Sequence, residues 1–310
     1  MKIHRFFFIF SALLLLLTAC GESQQKEQSY VLSDSGMHIE FLMLTEVNGS
    51  QLTGSQIEAF YDTPLSVTAP SEPYIVENKA TGTLDGKRVR LTVGGVLSLD
   101  GTKEGNDLKL STLDRSSGMQ VERRWYAVEN GTYNTLLASF KAHVKTRLKI
   151  LSLVQLQAFL PANSDSDAVK SQVSGTRQEV DFLLSAWNDV EQSSNQCQTL
   201  KERLLPFYPL GDGTFTLPQP DESELGKAVK EVETAWTKAR SAKLPSLPKG
   251  ITLSWQLSQG EIDTNLASAR KLLATLSQTI TDQKPEMQKI QQEYSSLVAK
   301  VEPLKQSCGL

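Results

Sequence analysis

Histidine and cysteine are the scarcest reactive residues of this 310-residue chain, with three of each. The histidines His4, His38 and His143 stand far apart, so a zinc site built from several of them is excluded, and neither His-Glu-x-x-His nor Cys-x-x-Cys occurs. Also missing are a Gly-x-Ser-x-Gly elbow, a phosphate-binding Walker loop and a dinucleotide fingerprint. An excess of positive charge is lacking as well: 32 basic residues face 35 acidic ones, for a net charge of −3. That balance argues against nucleic acid as a partner. No catalytic residue, metal ligand or cofactor is assigned, and the chain is read as non-enzymatic.

One long apolar run is present. Lys2 and Arg5 precede a nearly uninterrupted apolar stretch from Phe6 to Leu17, followed by Thr18, Ala19 and Cys20. A short basic start, an apolar segment of this length and small residues before a cleavage point make a secretory signal, and the run is too short for a spanning helix. Leu17-Thr18-Ala19-Cys20 resembles the lipobox of bacterial lipoproteins. The resemblance covers about 20 residues. It implies that residues 1–19 are removed and that Cys20 becomes an acylated N-terminus, on the outer face of the cell membrane or in an outer membrane. Several acyl chains anchor stably, since each buried methylene is worth about 0.8 kcal/mol and one chain alone is marginal. Loss of Lys2 and Arg5 leaves 30 basic against 35 acidic residues, a charge of −5. The membrane is therefore held through acyl chains rather than by charge. With Cys20 modified, Cys197 and Cys308 remain as a pair in an oxidising compartment, where a disulfide persists.

Gly21–Ser29 is polar throughout and reads as a flexible tether, giving a lipidated cysteine and spacer over residues 20–29. From Tyr30 to Val128 the pattern has period two; Met37, Ile39, Phe41 and Met43, for example, share one strand face. Turn signals at Asn48-Gly49, Asp62–Pro64, Asp85-Gly86, Glu104–Asn106 and Ser116–Gly118 divide the region into seven or eight strands. Asp85-Gly86 is read as a type I′ hairpin turn. Gly82-Thr83-x-x-Gly86-x-x-Val89-Arg90-Leu91 recurs as Gly101-Thr102-x-x-Gly105-x-x-Leu108-Lys109-Leu110. Two copies of a hairpin predict a meander, and residues 30–128 are assigned to an antiparallel β sandwich or small barrel.

At Asn130 the period changes to that of a helix, and residues 129–310 are assigned to a helical bundle. Four helices are predicted, over about 130–161, 165–205 and 221–243, with a fourth after the connector 244–256 that carries a seam from Ile262 to Leu304. In the last, Ile262, Leu266, Ala269, Leu273, Leu276, Ile280, Gln283, Met287, Ile290, Tyr294, Leu297, Val301 and Leu304 alternate steps of four and three, the spacing of coiled-coil packing. Pro285 falls off this seam, so one bent, continuous helix is expected. Alternating directions make the second and fourth helices parallel, which brings Cys197 and Cys308 together near their C-terminal ends. The fold class is thus α+β: an antiparallel β sandwich or small barrel, then an elongated, coiled-coil-like four-helix bundle. Long connectors at 206–220 and 244–256 are expected at the bundle tip, where Thr214–Leu217 and Ile251–Trp255 would pair as a ribbon.

Few side chains stand out. His38 and Glu40 share one strand face and are read as solvated, and His143 as a partly buried boundary residue. Trp187 and Trp236 fall on helical seams and are read as core. Phe207 and Tyr208, framed by prolines, are candidates for partner contact or for capping the bundle. Arg123 and Arg124, beside Trp125, are candidates for ligand contact. The expected role is a lipid-anchored envelope scaffold that meets a protein partner through its bundle. The alternative is a β domain enclosing a lipid, glycan or other small molecule.

Overall fold

The computed structural model describes residues 26–32, 36–113, 118–160 and 164–310. Cys20 and the lipobox lie outside the described residues. The fold is α+β, a closed antiparallel barrel followed by helices. By packing, the described residues up to Val144 group with Arg240–Gln256 in a first unit, and Lys145–Ala239 with Leu257–Leu310 in a second.

The first unit carries eight strands: β1 Lys26–Leu32, β2 His38–Val47, β3 Gln51–Phe60, β4 Tyr74–Asp85, β5 Arg88–Val93, β6 Leu97–Glu104, β7 Asp107–Leu113 and β8 Gln120–Val128. Each pairs with its sequence neighbours, and β1 closes the ring by pairing Ser29 with Val128 of β8. The choice between sandwich and barrel thus resolves to a barrel. The tether reading is corrected in part, since Lys26–Ser29 forms the first half of β1, opposite Glu46–Met43. This stretch has no apolar side chain and is held by backbone pairing with β2, joined at Ser29 by pairing with β8, which hydrophobic patterning does not report.

Side chains of all eight strands meet inside, among them Tyr30, Leu42, Leu52, Ala80, Val89, Leu99, Leu108 and Trp125. The face carrying Ile39 and Phe41 looks the other way. There α1 (Thr132–Phe159) covers it, with the Tyr133 ring edge-on to Phe41 at 5.2 Å and Phe140 against Tyr61 at 5.5 Å. β2 is therefore apolar on both faces because both are covered.

The internal repeat acquires a steric meaning. A Cβ on Gly82 would fall on the carbonyl oxygen of Arg90, and one on Gly101 on that of Lys109. The first glycine of each copy lets adjacent strands close in as the barrel bends. The second glycine makes the turn, with φ of +59° at Gly86 and +64° at Gly105. The two-residue loop after β4 is Gly86-Lys87, with positive φ at Gly86 alone, which is the type II′ pattern and not the expected I′.

The second unit contains the rest of α1, then α2 (Ser164–Gln192), the short α3 (Gln196–Thr199), α4 (Glu224–Ser241, to Ala239) and α5 (Gln259–Ser307). The predicted second helix is interrupted. Ser193 Oγ accepts the Asn195 amide and the Asn195 side chain caps α3 by accepting from Gln198, so local polar bonding outcompetes helix continuation. A π turn at Leu200–Leu204 then restores the apolar face, burying Leu200 and Leu204.

α5 is one continuous helix of 49 residues, about 74 Å at 1.5 Å per residue, and Pro285 sits on its exposed side. It starts at a capping box between Ser258 and Glu261. Arg177 of α2 pairs with Glu286 and Glu293, and Glu191 with Lys300, so α2 and α5 run parallel. Arg147 of α1 pairs with Glu261 near the start of α5. The spacing between Arg147 and Arg177 matches that between Glu261 and Glu286–Glu293, so α1 and α2 follow α5 in succession. α4 runs antiparallel to it, through Trp236 to Gln259 at 2.8 Å and Glu233 to Arg270 at 2.9 Å. Cys197 and Cys308 stand at disulfide distance, with Cα atoms 5.5 Å apart.

Two expectations about the connectors are corrected. Neither Thr214–Leu217 nor Ile251–Trp255 is a strand, so no ribbon forms. The connector 244–256 belongs to the first unit, where Trp255, 1% exposed, packs edge-on to Phe140 at 5.3 Å and to His143 at 5.6 Å. His143 is accordingly fully buried rather than at a boundary. A tryptophan that finds an aromatic pocket outweighs weak alternation in a short loop.

Candidate functional site

The residues singled out in the sequence fall at three places. Arg123 and Arg124, adjacent on β8, project to opposite faces. Arg123 reaches inward to Glu40 at 3.5 Å, and Glu40 also accepts a hydrogen bond from the Gln56 amide, itself in reach of Asn78. Burial holds the Glu40 carboxyl above its ordinary value, against the opposing hydrogen bond from Gln56. The reading of Glu40 as solvated is therefore corrected: it is 6% exposed, and alternation alone does not reveal that the face of β2 carrying Glu40, Leu42 and Leu44 closes into a barrel. Arg124 stands outside, 3.0 Å from Asp107 and over the Tyr126 ring at 5.4 Å. The two arginines do not ring one pocket.

Among the described residues, one small cavity opens within the barrel. The cavity between Lys26, Tyr30, Glu46, Lys103 and Asn106 encloses about 40 Å³, room for a few waters. Pockets for drug-sized ligands run to several hundred Å³. Among the described residues no cluster of three or more His, Cys, Asp or Glu is placed to hold a metal.

Phe207 and Tyr208 part company. Tyr208 is core: its hydroxyl donates to Glu302 at 2.7 Å, and burial with that carboxylate raises its pKa. Phe207 stays 54% exposed and stacks edge-on against Phe182 of α2, 49% exposed, at 4.9 Å. From this pair the chain runs back along α5 without forming a helix, and side chains hold it there. The Tyr294 hydroxyl accepts from the Leu210 amide at 2.9 Å; Gln291 accepts from the Phe215 amide at 2.8 Å and donates to the Gly213 carbonyl at 2.9 Å. Gln172 of α2 donates to the Thr216 carbonyl at 3.0 Å. These bonds take the place of the ladder that an isolated extended segment lacks. Between this segment and α5 lies a groove of about 740 Å³, with Phe215, Leu217, Ile280 and Met287 in its walls and Lys284 and Gln288 at its rim.

Sequence reasoning missed Phe182 and Gln291. The signal for Phe182 was available, because a bulky apolar residue beside Leu183 lies off the helical seam. Gln291, next to the seam residue Ile290, carries no signal of its own; its role depends on a connector far away in sequence.

Architecturally this defines a class, an up-and-down eight-stranded barrel continued by a helical unit with a side-chain-held connector. No protein-family model matches the chain, and neither the curated proteins nor the solved structures contain a match.

Proposed function

We propose that the chain is a lipid-anchored, extracytoplasmic protein of a bacterial envelope that binds a protein partner through its helical unit and catalyses no reaction. The observation carrying this reading is the exposed Phe182–Phe207 pair, next to a connector pinned along α5. Two half-exposed aromatic rings on a fixed backbone have the composition of an interface anchor, and they lose exposed apolar surface only when something covers them. The apolar cluster that side chains of all eight strands form inside the barrel supports a structural role for the β domain, and a cysteine pair at disulfide distance fits an oxidising compartment.

The test is lysine cross-linking on intact cells, comparing the native chain with the double variant F182S/F207S. A reproducible protein neighbour linked through residues 201–249, and lost in the variant while its helix content stays unchanged, is the expected result. A co-purifying lipid or glycan without any protein neighbour overturns the reading in favour of the β domain. For the anchor, C20S is expected to move the protein out of the membrane fraction, and full retention there refutes lipidation.

A further inference from the structure

The barrel is closed, yet one of its strands keeps a free edge. β4 has twelve residues and β5 only six, so β5 covers β4 no further than Ala80 opposite Val93. The last bond across that side runs from the Gly94 amide to the Lys79 carbonyl at 2.9 Å. In a strand the N–H and C=O of one residue point the same way and alternate between neighbours. Because Lys79 faces β5, so do Glu77 and Ile75, while Tyr74, Val76 and Asn78 face their β3 partners Phe60, Glu58 and Gln56. Ile75 and Glu77 therefore present two N–H and two C=O groups beyond the end of β5. The side chains there are apolar and open, with Tyr74 47%, Ile75 51% and Val76 41% exposed. Native barrels normally leave no such edge, since it is a template for another strand.

We infer that this edge is an interface between two copies of the chain, formed by antiparallel pairing of β4 with β4 about a two-fold axis at Val76. The register follows from the inventory of free groups. With Val76 opposite its own copy, Ile75 faces Glu77 of the partner subunit and Glu77 faces the partner's Ile75. Each is a hydrogen-bonded pair, and all eight free groups of the two copies are used, in four bonds. No like charges oppose one another: Tyr74 meets the partner's Asn78, and each glutamate meets an isoleucine. The ladder stops where it must, because Pro73 has no N–H and the Lys79 carbonyl is already taken. An isologous contact of this kind closes on itself and does not propagate into fibres. A strand from a foreign protein would satisfy one edge only.

The two Val76 residues form a non-hydrogen-bonded pair, whose Cα atoms lie about 4.5 Å apart, within reach of a disulfide. The test uses the full-length chain carrying C20S, so that an added cysteine is the one thiol outside the Cys197–Cys308 pair. V76C is expected to give a covalent dimer under mild oxidation at least ten-fold faster than K87C, an exposed position on the neighbouring turn. Without added cysteines, sedimentation is expected to show a concentration-dependent dimer that I75P, lacking one edge N–H, shifts to monomer. Equal cross-linking of V76C and K87C overturns the inference. So does a dimer indifferent to I75P whose V76C does not cross-link, or V76C trapping another protein in cells in place of its own copy.

Discussion

In the barrel the backbone of each strand pairs only with its neighbours in sequence, apart from the closing pair β1–β8. In the second unit one helix, α5, meets α1, α2, α4 and the connector between 206 and 220, partners drawn from more than a hundred residues. The barrel is thus built from local hairpins, whose loop-closure cost is small and repeated. The helical unit depends on a terminal helix that must find every partner at long range. Damage to α5 should therefore spread through its unit, whereas damage to one hairpin should stay within the barrel.

The largest effect is expected from M287D. Met287 is 3% exposed in the core that α2 and α5 share, and an unpaired buried charge there costs about 3–5 kcal/mol. Amide exchange should become faster throughout α2 and α5 and stay unchanged in β1–β8; equal loss of protection in both units would erase the contrast. Next comes C308S, which opens a loop of 111 residues within the helical unit and is expected to lower its stability by about 2–4 kcal/mol in denaturant titration. The same loss produced by reducing agent in the native protein, and none in C308S, sharpens the assignment.

In the barrel, G82A places a methyl on the Arg90 carbonyl and is expected to cost about 1–3 kcal/mol, read as faster exchange in β4 and β5 alone. The smallest effect belongs to Glu40. Burial raises its carboxyl above the ordinary 4.5, so the folded state keeps the proton at pH values where the unfolded chain has lost it. The contribution to stability is present below 4.5 and declines as pH rises through the elevated value. E40Q should flatten that decline in urea titrations run across this range, and an unchanged profile would show that Glu40 does not set it.

Legibility differed between the units for physical reasons. Strand positions could be read because burial on one face writes itself as period two, and the α5 seam because packing writes itself as steps of four and three. The seam is cleanest at its ends. In the middle Thr279 is buried while Leu273 is only half covered, as is Ile280, where the groove opens. Closure of the sheet was not legible, since the pairing of Ser29 with Val128 leaves no local mark. Nor was the fate of the connectors. Trp255 and Tyr208 are ordinary loop aromatics until Phe140 and Glu302 are in place beside them.

Of the candidate residues, the sequence distinguished Phe207 and the two arginines but could not orient them. Exposure of Phe207 and burial of Tyr208 follow from one turn of 3-10 helix at Leu205–Phe207, and the opposed directions of Arg123 and Arg124 follow from the pleat. By itself the sequence determined the periodicity of each region, the place though not the type of the hairpin turn after β4, the continuity of α5 past Pro285 and the pairing of α2 with α5, because each depends on spacing along one element or on chain order. Tertiary structure alone decided that the sheet closes, that apolar side chains of all eight strands meet inside it, that connector 206–220 is pinned along α5 and that β4 outruns β5. Those depend on which distant groups meet, and a hydrogen bond or a packed ring has no address in the chain until its partner is placed.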